Sequence, residues 1–141
     1  PIKKMMEIAK QAARSKANVL IEGESGTGKG LLCQFIHDQS ESAILKKGVL
    51  VKINCTAIPD NLLEAELFGY EPGAFTGATK RKQGKVEIAH EGTLFLDEVG
   101  IAPPTLQSKL LRFLQEGEFE RLGSNETIKI QTRVAMLRTR F

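Results

Sequence analysis

The stretch GESGTGKG, Gly23 to Gly30, constrains the fold of this chain more than any other, because of what flanks it. Before it runs Asn18-Val19-Leu20-Ile21, of strand length. After it runs Leu31-Leu32-Cys33-Gln34-Phe35-Ile36, which carries apolar residues at helical spacing. A strand Val19 to Glu22, a glycine turn, a helix from about Gly30 to Ser42 and a second apolar strand Val49 to Ile53 make the βαβ unit of a parallel sheet. The chain therefore reads as α/β.

The remaining elements follow from the same patterns. Residues 2 to 16 place Ile2, Met5, Met6, Ile8, Ala9, Ala12 and Ala13 on one broad helical side, an amphipathic helix. Asp60, behind Pro59, is set to cap a short helix whose Leu63, Leu67 and Phe68 share a side and which Gly69 ends. From Gly69 to Gly84 apolar periodicity is almost lost, and a compact domain keeps so long a loop for a purpose. Thr93 to Asp97 is a short apolar strand running into acid. Pro103-Pro104 then opens a helix with Leu106, Leu110, Leu111 and Leu114 at helical spacing, where proline in the first turn costs nothing. Glu118 to Leu122 and Glu126 to Gln131 flank Gly123-Ser124-Asn125 as a hairpin would, and Arg133 to Leu137 is one further strand. No repeat, low-complexity linker or internal domain boundary interrupts the 141 residues.

Composition narrows the class. Charged residues at 26% and hydrophobic ones at 41% are ordinary for a globular domain. The net charge of +3 gathers at Lys80 to Lys85 and at Arg133, Arg138 and Arg140, which reads as a solvated basic loop before a nucleic-acid surface. Cys33 and Cys55 have no CxxC partner and fit buried, reduced thiols. No apolar run reaches membrane-spanning length, so the expected compartment is the cytoplasm, with no membrane partner.

Three groups of residues carry chemistry. In GESGTGKG, Gly23, Gly26 and Gly28 let the chain turn tightly and present backbone N–H groups to phosphate oxygens, with Glu24, Ser25 and Thr27 completing the loop. Lys29 then reaches the outer phosphates. The position where the pattern G-x-x-x-x-G-K-[ST] has a magnesium-binding hydroxyl is Gly30. Leu94-Phe95-Leu96-Asp97-Glu98 presents two carboxylates at the edge where open α/β sheets bind ligands: Asp97 to hold Mg²⁺, Glu98 to polarise the attacking water. Taken alone such a pair also fits a helix cap or a surface acid. Asn54, directly after its strand, either holds Glu98 by hydrogen bond or caps the following turn. Finally, Gly73 and Gly77 flank Phe75-Thr76 in Gly73-Ala74-Phe75-Thr76-Gly77-Ala78, which either offers an aromatic tip to a partner or folds Phe75 back as local core.

Together, GESGTGKG, ELFGYEPGAFTGA and EGTLFLDEVG closely resemble the AAA+ ATPase domain of bacterial enhancer-binding proteins, the activators of sigma-54 RNA polymerase, over about residues 1 to 133. The resemblance implies a P-loop NTPase fold, a three-layer α/β/α arrangement around a mostly parallel sheet. It implies ATP and Mg²⁺ as cofactors, with Gly23 to Gly30 as Walker A and Asp97 and Glu98 as Walker B. Asn54 matches the switch asparagine that restrains the catalytic glutamate, and Gly73 to Ala78 the loop that contacts the sigma factor. The implied partners are the sigma-54 factor with RNA polymerase holoenzyme and further copies of the chain in a ring, usually a hexamer. ATP hydrolysis in that ring remodels the closed promoter complex.

Three departures from the family pattern stand out. Gly30 replaces a common glutamate, so the missing hydroxyl is a family trait and the glycine is not. Ile101-Ala102-Pro103-Pro104 replaces a segment resembling E-L-P. After Val134 the chain reads Ala135-Met136-Leu137-Arg138-Thr139-Arg140-Phe141, with Arg138 or Thr139 where the Sensor I asparagine belongs. The family's arginine fingers, helical lid and DNA-binding helix-turn-helix domain follow beyond that point. Residues 1–141 are thus expected to be the N-terminal part of the ATPase domain, either the ATP-hydrolysing core or a nucleotide-binding fragment without turnover.

Overall fold

A computed structural model describes residues 7–12, 17–23, 28–39 and 48–139. Its strands, in chain order, are β1 (Val19–Gly23), β2 (Leu50–Asn54), β3 (Gly69–Tyr70), β4 (Lys82–Gln83), β5 (Thr93–Asp97), β6 (Glu118–Phe119), β7 (Ile128–Lys129) and β8 (Arg133–Thr139). Four of them form one sheet in the order β1-β8-β5-β2, every pair parallel. Parallel strands are buried on both faces and so carry near-continuous apolar runs. β5 shows this most clearly, its first four residues all being buried.

Strand alternation sorts the side chains into two cores. Leu94 and Leu96 of β5, Ile53 of β2 and Val134 of β8 face one side, beneath helices Asp60–Phe68, Lys85–Ile88 and Pro104–Glu116. Leu63, Leu67, Phe68, Leu106, Leu110 and Phe113 fill that larger core. Phe95, Ala135 and Leu137 face the other side and pack against Cys33 of helix Lys29–Asp38. Residues 7–12 are helical and bring Ala9 against Ile36 on that second side. The expected three-layer α/β/α arrangement follows from this two-sided packing.

Several boundaries differ from the sequence reading. Asp60 is the first residue of its helix; Pro59 takes the capping position and no side chain caps the end, so Asp60 acts only as an acid in the first turn. The helix after the glycine loop ends at Asp38, and residues 40–42 of its expected span lie outside the described ones. Of the expected helix 2–16, only 7–12 are described. Pro104 stands at the start of its helix as expected, but Leu111 is 54% exposed and Phe113 is buried in its place. The expected long hairpin contracts to β6 and β7, two residues each. Leu122 is drawn off to bridge Tyr70, which takes it out of the hairpin ladder.

Candidate functional site

Because its strands are parallel, the sheet gathers all its C-terminal ends on one edge. β2 and β5 finish in register, with Asn54 opposite Asp97, and β1 and β8 finish with Gly23 opposite Thr139. The registers of Leu96 with Met136 and of Leu137 with Ile21 set Asp97 level with Ile21. Gly23 therefore lies two strands across from Asp97, about 10 Å, and two residues further along, about 7 Å.

Alternation also decides which side of the sheet this edge serves. Phe95 packs against Cys33, so Asp97, two residues on, lies on the side of helix Lys29–Asp38. The Cys33 thiol senses it: burial first, then the Asp97 charge, push its pKa up to about 12 against the opposing effect of Lys52. That helix starts behind Gly28 in the left-handed region (φ 78°), with no side-chain cap. A helix start without a capping side chain leaves first-turn N–H groups for an anion. Glu24, Ser25, Gly26 and Thr27 lie outside the described residues, and Lys29 and Gly30 are described as the backbone that opens the helix.

Glu98 follows Asp97 in a left-handed conformation (φ 57°, ψ 52°), directly before a turn of 3₁₀ helix at Val99–Ile101. A non-glycine residue held there stores about 1–2 kcal/mol of backbone strain. The side chain of Asn54 caps the following turn, one of the two roles read from the sequence. Its Oδ1 accepts from the Thr56 amide at 3.0 Å and from Thr56 Oγ1 at 2.6 Å. Only its Nδ2 is left to serve Glu98. The Cys55 amide donates to the Asp97 carbonyl at 3.0 Å, tying the two strand ends together. Burial, with Asp97 and Glu98 adding to it, raises the Cys55 thiol to about 11.

The second predicted element has a stem of its own, a two-stranded sheet separate from the main one. β3 and β4 pair antiparallel, Gly69 opposite Gln83 and Tyr70 opposite Lys82. At the foot of the stem a Cβ on Gly84 would overlap the Leu67 carbonyl oxygen, so only glycine lets β4 cross the helix end. The tip is closed by backbone bonds from the Gly73 amide to the Ala78 carbonyl (2.7 Å) and from the Ala78 amide to the Phe75 carbonyl (3.0 Å). Gly73 and Gly77 both take positive φ. Phe75 remains 44% exposed while its ring rests edge-on against Tyr70, centroids 4.8 Å apart. Phe75 is thus packed locally on Tyr70 without entering the core. Ala74 lies beside Gly123, Thr76 is exposed and Ala78 is buried.

Sequence reasoning missed the ion pairs that brace the stem. Arg121 binds Glu87 bidentately, Nε and Nη2 each at 2.8 Å, and reaches Glu71 with Nη1 at 2.8 Å. Arg81 joins the same Glu71 oxygen at 3.2 Å. Burial works to raise the Glu71 carboxyl, but the hydrogen bonds from Arg121 and Arg81 outweigh it and hold it below its ordinary value. Lys82 meanwhile pairs with Glu66. Two cations of the basic run are thus neutralised within the fold, which supports reading that run as a solvated loop. Arg121 stands 34 residues from Glu87 and 50 from Glu71, so no local pattern announces the cluster.

Among the described residues no helix is long and apolar enough to cross a membrane, and no group of three or more His, Cys, Asp or Glu could cage a metal ion. Mg²⁺ needs no such cage, since one or two carboxylates complete its shell with phosphate oxygens and water. Asp97, a half-buried oxygen donor at the sheet edge, fits that demand.

Known proteins share this chain's sequence and architecture. The Nif-specific regulatory protein of Azorhizobium caulinodans is 53% identical over 134 residues, which are 94% of this chain and 21% of that protein. The chain thus spans about a fifth of that relative's length. The structure of NtrX from Brucella abortus in complex with ATP superposes with a TM-score of 0.86 at 33% identity, covering 99% of this chain and 29% of that one. The P-loop NTPase domain of a sigma-54 transport activator from E. coli superposes at 0.61 and 15% identity, covering 96% of this chain and 84% of that one, and so shares the fold. The family described as the Sigma-54 interaction domain matches residues 1–140, and the chain belongs to it.

Proposed function

We propose that residues 1–141 form the N-terminal part of an AAA+ ATPase domain, the nucleotide-binding core of a sigma-54-dependent transcriptional activator. ATP binds across the C-terminal edge of the sheet, its phosphates on the Gly23 to Gly30 loop and on the first-turn amides of helix Lys29–Asp38. Lys29 meets the outer phosphates. Mg²⁺, when bound, neutralises phosphate charge and is held by Asp97, which does the work that a hydroxyl at position 30 would share. Glu98 orients the attacking water and takes its proton, and Nδ2 of Asn54 restrains Glu98. The loop Gly73 to Ala78 is the surface offered to the sigma-54 factor of RNA polymerase holoenzyme. Further copies of the chain assemble as a ring, with DNA read by a separate helix-turn-helix domain.

The observation that carries this reading is the edge itself. Asn54 and Asp97 end in register on the side of the sheet covered by the helix that the glycine loop opens. The NtrX structure with ATP, alike over 99% of this chain, supports nucleotide as the ligand. Membership of the Sigma-54 interaction domain family supports the partner. Steady-state ATP hydrolysis by the purified chain and its Glu98→Ala variant tests the reading. Turnover that the variant loses supports a hydrolysing core. Nucleotide binding without turnover in either protein supports a binding fragment, and absence of nucleotide binding overturns both.

A further inference from the structure

We infer that Tyr70 is a resting platform for Phe75, holding the aromatic tip of the loop down on its own stem until the partner takes it. This inference rests on the proposed role of the loop as the partner-binding surface.

Tyr70 belongs to the paired stem and cannot follow the tip if the tip lifts. It is fixed opposite Lys82 in β3–β4 and bridged to Leu122 on its other side. Phe75 belongs to the tip, which backbone bonds between residues 71 and 79 close on itself. The contact between the two rings therefore links the tip to the stem, beside the packing of Ala74 on Gly123. Its geometry is favourable: centroids 4.8 Å apart and planes at 71°, an edge-to-face pair. It also leaves Phe75 44% exposed, so the ring is held without being buried.

A partner that takes Phe75 must first break this pair. An edge-to-face contact of this kind alters an equilibrium by about 2- to 10-fold. Tyr70 thus weakens partner binding by that factor and in return keeps an aromatic ring from projecting fully into water. Phenylalanine at position 70 keeps an aromatic ring for the contact, and leucine removes it.

Tyr70 is the only tyrosine and the chain has no tryptophan, so its ring resonances are identified without assignment. In the free chain, proton NMR is expected to show a Tyr70–Phe75 cross-peak and a Tyr70 ring shift that Phe75→Leu abolishes. Absence of both overturns the platform whatever the partner does. Titration with purified sigma-54 factor in the presence of ATP then tests the consequence. Tyr70→Leu is expected to bind about 2- to 10-fold tighter than the unchanged chain, Tyr70→Phe the same, and Phe75→Ala far more weakly. Unchanged or weaker binding by a folded Tyr70→Leu overturns the inference. Binding that survives Phe75→Ala intact, with the NMR contact present, overturns the partner-surface reading and leaves the ring contact standing.

Discussion

Two glutamates with positive φ set backbone strain at the proposed site against strain away from it. Glu98 (φ 57°) stands at the sheet edge beside Asp97, whereas Glu91 (φ 65°) stands at the opposite end of β5, beside Gly92. Glycine at position 91 removes the left-handed penalty at no cost to the proposed site. Glu91→Gly is expected to stabilise the chain by about 1 kcal/mol in urea unfolding and leave nucleotide binding unchanged. A buried histidine makes a second residue-scale case. His37 Nδ1 lies 2.8 Å from Thr93 Oγ1, and burial, reinforced by Arg133 and opposed by Asp38, lowers its pKa from the ordinary 6.5. The unfolded chain thus binds this proton more readily, so the contribution is complete above pH 6.5 and is lost as pH falls through the lowered folded value. Melting temperature should fall between pH 7.5 and pH 5.5, and His37→Gln should flatten that fall; an equal slope in the variant would exclude His37 as its source.

At the scale of elements, the loop stem is the place where close packing admits least change. Gly84 lies where any Cβ would overlap the backbone of Leu67 and Phe68, with no flexible side chain to give way. Gly84→Ala should therefore cost about 1–3 kcal/mol in denaturant unfolding and should separate β4 from β3 before it disturbs the main sheet. Hydrogen exchange at Tyr70 and Lys82 would register that separation. The stem also marks where sequence legibility stops. β1, β2 and β5 were legible because an apolar run bounded by glycine or acid is a local signal, β8 because its apolar run lies between arginines, and the loop itself from its glycines and its lost periodicity. The hairpin was read as too long because its ladder ends where Leu122 pairs with Tyr70, a contact between segments about fifty residues apart. For the same reason the Arg121 cluster left no trace in the sequence. At the candidate edge, residue types were legible, whereas the Thr56 bond that takes up Oδ1 of Asn54 was one of two open choices.

For the molecule as a whole, the sheet order β1-β8-β5-β2 puts one strand between the glycine loop and the acidic pair. A ligand that reaches from Gly23 to Asp97 must cross the end of β8, and so it ties three strands together at their C-terminal edge. Binding there stabilises the folded chain by mass action, about 2.7 kcal/mol at a hundredfold excess over Kd. For a domain of this size that is roughly a 10 °C rise in melting temperature. ATP with Mg²⁺ should produce such a rise, and EDTA should reduce it. Lys29→Ala should lose most of it because the outer phosphates lose their cation, whereas Glu98→Ala should keep it, since that carboxylate is assigned to water. Gly30→Glu decides what the missing hydroxyl means. If Asp97, water and phosphate oxygens complete the shell of Mg²⁺, a side chain at position 30 adds little and the rise matches that of the unchanged chain. A much larger rise in Gly30→Glu would show that the glycine weakens the loop, and would move the weight of nucleotide binding from the strand ends to the start of the helix.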